Sequence, residues 1–304
     1  MREAGVNQRA GVLAARPVVA RQPVGPWSAV LRALGRSRSA LIGGTIVLVM
    51  LLIAILAPLL SPYDPQEIEV PRRLLGPSEA HPFGTDNMGR DILSRVIFGT
   101  RISLLVGSLV VVCAAGAGIA LGLMAGYTDR LDRILMRIMD GLMAFPTTLL
   151  AIALMAALGA RLSNVIIALA IVFTPRVARV VRSVTLVVRE LDYVQAAQAL
   201  GARDSRILAR HILPNCLPPV IVQGTFIFAE SVLAEAALSF LGVGLPPYIP
   251  SWGTIITTGR MFMQIAPWIT IFPGVAILIA VLGLNLLGDG LRDLADPRLR
   301  GRLG

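Results

Sequence analysis

Three acidic side chains stand inside long apolar runs: Asp140, Glu230 and Glu235. An ionisable group at membrane depth is costly, and one that is kept there marks a path or a hydrogen bond to a neighbouring helix. Glu230 is the stronger candidate for facing a water-filled path, in even competition with a structural role. Asp140 closely follows Arg133 and Arg137, so an interfacial, structural role leads for it; it stays as the second path candidate. Glu235 lies near the end of its run and reads as structural. The other reactive residues mainly exclude chemistry. All 28 basic residues are arginine. A Walker A loop needs a lysine on the phosphates, and a Schiff-base enzyme needs one as nucleophile. His81 and His211 have no partners at metal-binding spacing. Cys113 and Cys216 lie in or beside apolar runs and read as packing residues. No catalytic residue, bound cofactor or metal site is expected, and the paired histidines or HExxH helix of a membrane-embedded enzyme are missing.

The elements that would hold these residues are apolar helices. Of the 304 residues 55% are hydrophobic and 15% charged, whereas soluble domains carry about a quarter charged residues. Lipid is the solvent this composition suits. Residues 1–40 form an arginine-rich, proline-broken segment, and 41–61 a first span. About 20 residues cross the roughly 30 Å hydrocarbon core, too long an apolar stretch for a cleaved signal peptide. Residues 62–100 are polar and proline-rich. Further runs cover about 102–127, 134–158, 162–181, 220–243 and 268–287, giving a core over 101–290 and a charged tail over 291–304. Gly118, Gly122 and Gly126 repeat on one face of the second run, which lets two backbones approach closely. Phe145-Pro146 and Thr174-Pro175 are expected to mark kinks.

Arginine placement orients the chain. With the N-terminus inside, 21 arginines fall in cytoplasmic segments and 6 outside, with Arg101 at a boundary. The positive-inside rule then puts both termini in the cytoplasm. The net charge of +10 is thereby a topology signal, and nucleic acid is not an expected partner.

Residues 182–214 are too polar to span. Asp192 can cap a short helix with Leu191, Val194, Ala197 and Leu200 on one face, and Gly201 can end it in a left-handed turn. Asp204 or Ser205 can cap a second helix, with Ile207, Leu208 and Ile212 on one face, Arg203, Arg206 and Arg210 on another, and Pro214 as its stop. This two-helix knob suits an anionic lipid surface and a partner protein equally well.

Gln195-Ala196-Ala197, Gly201 and Leu213-Pro214 resemble the EAA loop of ABC importer permeases, with Gln195 in place of the usual glutamate and His211 at an isoleucine position. Tyr63-Asp64-Pro65, Gly84 to Asp91, Ala234 to Gly242, Pro250 to Gly253 and Asn285 to Asp293 resemble, in that order, the C-type permease of dipeptide/oligopeptide/nickel importers. The similarity covers about 32–300.

That resemblance implies an all-α protein of six transmembrane helices with the type I ABC importer permease fold, in a bacterial inner membrane. It implies a homologous second permease, two ATP-binding subunits that hold ATP and Mg, and an extracytoplasmic solute-binding protein. The knob (Gln195, Ala196, Ala197, Gly201, His211, Leu213, Pro214) would dock the ATPases, and the chain would form half of an alternating-access path for di- or oligopeptides. The alternatives are a nickel chelate or glutathione as cargo, or a transporter or channel that works alone.

Overall fold

The computed structural model describes residues 37–295. The N-terminal arginine-rich segment up to residue 36 and the tail beyond 295 lie outside the described residues. Among the described residues the chain is helical, with only a single bridge between Thr85 and Asp91 in extended pairing. α1 (Arg38–Ile55) starts at Ser37, whose side chain accepts from the Ala40 N–H, and the short α2 (Ala57–Leu60) follows. α3 (Ile92–Tyr127) is capped by Asp91. α4 (Asp129–Met143) and α5 (Thr147–Leu158) meet at a 95° bend. α6 is Leu162–Val188, α7 Asp192–Ala199 and α8 Asp204–Ile207. α9 (Leu213–Phe240), α10 (Trp252–Gly259) and α11 (Trp268–Ala295) complete the fold. Among the described residues five helical stretches are long and apolar enough to cross a membrane, and the bent α4–α5 pair makes six where its two halves count as one span.

The glycine face of α3 does what its spacing predicts. A Cβ at Gly118, Gly122 or Gly126 would stand 2.5–2.7 Å from side-chain or backbone atoms of Val177, Ala178, Val181 or Thr185 on α6. Only hydrogen at these positions permits that approach, and dispersion contacts replace the missing hydrophobic drive in lipid. Likewise Gly43 of α1 lies against Leu287 of α11, and Gly290 of α11 against Ala40. The start of α1 and the end of α11 therefore share one end of the bundle.

Several boundaries differ from the apolar runs. α3 begins ten residues before the second run, because Asp91 accepts from Ser94 N–H (2.8 Å) and closes the first turn. The polar connection thus ends at residue 91. α6 extends to Val188, so Arg176, Arg179 and Arg182 belong to a span. Hydropathy falls at these arginines, but backbone hydrogen bonding continues. Pro175 lies inside α6 without ending it, whereas Phe145-Pro146 does break its run. Pro214 does not stop the second knob helix. α8 runs through one wide turn (Leu208–Ile212), closed by Leu213 N–H on Leu208 C=O, into α9. Such a turn moves the preceding carbonyl away from the proline ring, which removes the clash that ordinarily breaks a helix.

One end of the bundle carries a cap built from 61–91, α10 and the start of α11. Asp86 accepts from Met88 N–H (2.7 Å), Arg90 N–H (3.0 Å) and Arg90 Nε (2.6 Å). Arg95 Nη1 donates to Pro65 C=O (3.1 Å), and Trp268 Nε1 to Thr85 C=O (3.2 Å). Gly89 has φ +79°, and a Cβ there would lie 1.9 Å from Glu69 O, so the position admits only glycine. Trp252, fully buried, donates from Nε1 to Val96 C=O (3.2 Å).

Candidate functional site: a charged ladder and a terminal knob

The opposite end carries the knob. α7 ends in a paired turn: Ala202 N–H bonds to Ala197 C=O (3.0 Å) and Gly201 N–H to Gln198 C=O (2.9 Å). Gly201 supplies the required positive φ, +79°, so two of the last carbonyls are satisfied. Leu191 rather than Asp192 precedes the helix, and Asp192 is its first residue. An acid there favours the helix dipole without making a capping bond. Asp204 likewise opens α8, and its carboxylate accepts from the Tyr127 hydroxyl (2.6 Å).

The inward face is narrower than its spacing suggests. Val194, Ile207 and Ile212 are completely buried, while Leu191 and Leu200 point outward. Leu200 is 89% exposed. A short helix ending in a reversed turn cannot bring its last residue back to the bundle. Arg203, Arg206 and Arg210 are exposed, as their spacing predicts. Ala196 is exposed and Ala197 half-buried. Gln195 donates from Nε2 to Glu190 C=O (3.2 Å). His211 lies beside Tyr193 with ring centroids 6.0 Å apart, and its carbonyl accepts from Asn215 Nδ2 (2.6 Å). Leu213 is half-buried, and Pro214 is exposed in the first turn of α9.

A row of arginines on α6 runs from the bundle's middle to the knob, and each has an acidic partner. Arg176 pairs with Glu230 of α9, and Arg179 with Asp140 of α4 (2.6 Å). Arg182 clamps Asp132 of α4 through two guanidinium nitrogens, one at 2.6 Å. Arg189, just past α6, reaches Asp129 (3.2 Å) and Gly126 C=O (3.0 Å). Three of its rungs tie α4, the longer half of the bent pair, to α6 and its end, and the fourth ties α6 to α9. Both path candidates are in it: Glu230 and Asp140 are ion-paired, and they occupy separate rungs. The arginines gave no catalytic or binding signal in the sequence. Their signal was spacing: three at three-residue intervals within an apolar run.

Glu235 lies elsewhere. It is fully buried near the cap, and its Oε1 accepts from Ser239 Oγ (2.8 Å) and Ser251 Oγ (2.9 Å). The segments 234–242 and 250–253 are thus joined by one carboxyl group. Cys216 is buried against Thr185, whereas Cys113 is exposed on α3 and does not pack inward; both are free thiols.

Several helices long and apolar enough to span a bilayer, with a bent helix pair among them, define a polytopic membrane protein. Residues 118–301 match the family described as binding-protein-dependent transport system inner membrane component. Residues 25–77 match the N-terminal transmembrane domain of oligopeptide transport permease C. The chain is 52% identical over 269 residues to a putative peptide transport system permease protein of Brucella suis biovar 1, covering 88% of this chain and 91% of that one. It is 46% identical over 278 residues to a dipeptide transport system permease protein of Alkalihalophilus pseudofirmus, covering 91% of each. To a glutathione transport system permease protein of Pectobacterium atrosepticum it is 44% identical over 296 residues, 96% of this chain and 98% of the relative. The chain belongs to the inner-membrane permease family of binding-protein-dependent ABC importers, within the peptide/nickel group. It is a multi-pass component of the inner membrane and not itself a catalyst.

Proposed function

We propose that this chain is one of two homologous permease subunits in a peptide importer. It forms half of an alternating-access path for di- or oligopeptides supplied by an extracytoplasmic binding protein. Two partner ATPases hold ATP and Mg, and the knob transmits their closure to α6 and α9. The named cargoes of the relatives, peptides, dipeptides and glutathione, support the substrate class. On this reading the knob and both ends of the described chain lie in the cytoplasm. With Arg176, Arg179 and Arg182 assigned to the span, 18 arginines still fall on that side against 6 on the other.

The exposure of Leu200 carries the docking assignment. Lipid contact by an amphipathic helix uses a continuous apolar face, but Val194, Ile207 and Ile212 are already spent on the bundle. What remains outward on α7 is a discontinuous set, Leu191 and Tyr193 at its start and Leu200 at its end beside Gly201, followed by the exposed Arg203, Arg206 and Arg210, and such a surface suits a shaped protein groove. Replacing Gly201→Asp, or deleting Gln195–Ala202, is expected to release the ATPases from the purified complex and abolish uptake. Full retention of both would refute the docking role.

A further inference from the structure

We infer that the Arg176–Glu230 pair is a charge-exchange station for a zwitterionic substrate, a ligand carrying both a free ammonium and a free carboxylate. The inference rests on the proposed path and assigns its specificity. Arg176 is fourteen residues from the cap end of α6, and Glu230 ten residues from the cap end of α9. At about 1.5 Å per residue these are depths of roughly 21 and 15 Å, near the middle of a roughly 30 Å hydrocarbon core. Yet the side chains are 33% and 43% exposed. Charges at that depth do not face acyl chains; they face a protein-lined, water-filled space.

The pair by itself is electrically complete. Arg176 and Glu230 neutralise one another, and Phe173 lies under the guanidinium with 5.5 Å between Arg176 Cζ and its ring centroid. A ligand that opens the pair and satisfies only one partner forfeits the attraction of the other, whereas a ligand that brings both charges exchanges partners without that loss. A peptide with free ends meets that condition. Its ammonium takes Glu230, its carboxylate takes Arg176, and no net charge is stranded. A peptide blocked at either end strands one half. The next rung, Arg179–Asp140, is more exposed still. It offers the same exchange one helical turn closer to the knob.

The test uses the complete importer in proteoliposomes, with its own binding protein. Uptake of trialanine is compared with uptake of N-acetyl-trialanine and trialanine amide, for the native complex and for R176Q/E230Q. The neutral variant measures the preference imposed by delivery alone. The native ratio of free to blocked peptide uptake is expected to exceed the neutral variant's by about tenfold. The swapped pair, R176E/E230R, keeps both charges and is expected to stay within about threefold of the native ratio, with all subunits copurifying. Equal slowing of all three peptides with an unchanged ratio would overturn the station while leaving the path reading intact. Unchanged rates and ratio in R176Q/E230Q would overturn both.

Discussion

Two aspartate–arginine pairs in this protein have the same length and opposite surroundings. Asp86 and Arg90, in the cap, are 2.6 Å apart with side chains 1% and 8% exposed. Asp140 and Arg179, in the ladder, are also 2.6 Å apart, at 57% and 47% exposed. The cap pair is one part of a closed set: the same carboxylate also accepts two backbone N–H groups. Its carboxylate is already committed to three donors. The ladder pair has open lone pairs and donors on one side. Chemistry common to both regions therefore builds a fixed plug at one end and an exchangeable contact along the span, and burial makes the difference.

The largest separation is expected from removing one acid in each region. Asp86→Ala leaves Arg90 buried without its partner, a loss of about 3–5 kcal/mol. Asp140→Ala is expected to cost at most about 1 kcal/mol, since its side chain is 57% exposed and that of Arg179 47%. Thermal unfolding of the detergent-purified complex reads both. Equal shifts would mean that the cap is no more fixed than the ladder.

A smaller effect separates two faces of α3. Gly122→Ala places a methyl 2.6 Å from Ala178 O and 2.7 Å from Val181 Cβ, an overpacking cost of about 1–3 kcal/mol. Gly116→Ala meets nothing within 4 Å and is expected to stabilise by up to about 1 kcal/mol through helix propensity. The same melts distinguish them, and a Gly122 variant as stable as the Gly116 variant would contradict the close α3–α6 approach.

The mildest change is at the knob. Gln195→Glu removes the 3.2 Å donation to Glu190 C=O and adds an exposed charge. A change within about 0.5 kcal/mol in stability is expected. A larger loss would show that Gln195 holds the turn between α6 and α7.

Much of this was legible in residue types and spacing. The glycines at 118, 122 and 126 announced a close helix pair, and Gly201 announced the turn. Ile207 and Ile212 announced the buried side of the knob. Leu200 was misread because periodicity locates a face and does not reveal where a short helix leaves the surface. Pro214 was misread as a stop because a wide turn upstream makes room for its ring, and no local residue pattern signals that turn. Arg176, Arg179 and Arg182 were read only as orientation signals, since hydropathy alone cannot separate a span's end from a charged stripe inside it.

What the sequence by itself determined is the class of solvent and the punctuation: apolar lengths matched to a bilayer, arginines biased to one side, glycines where backbones must touch. These depend on composition and on contacts within a few residues. Tertiary structure alone decided the partners of the charges. Arg176 meets Glu230 across 54 residues of chain, and Arg182 meets Asp132 across 50. Such pairs require α4 and α9 to lie beside α6, and their exposure is a property of the folded surface.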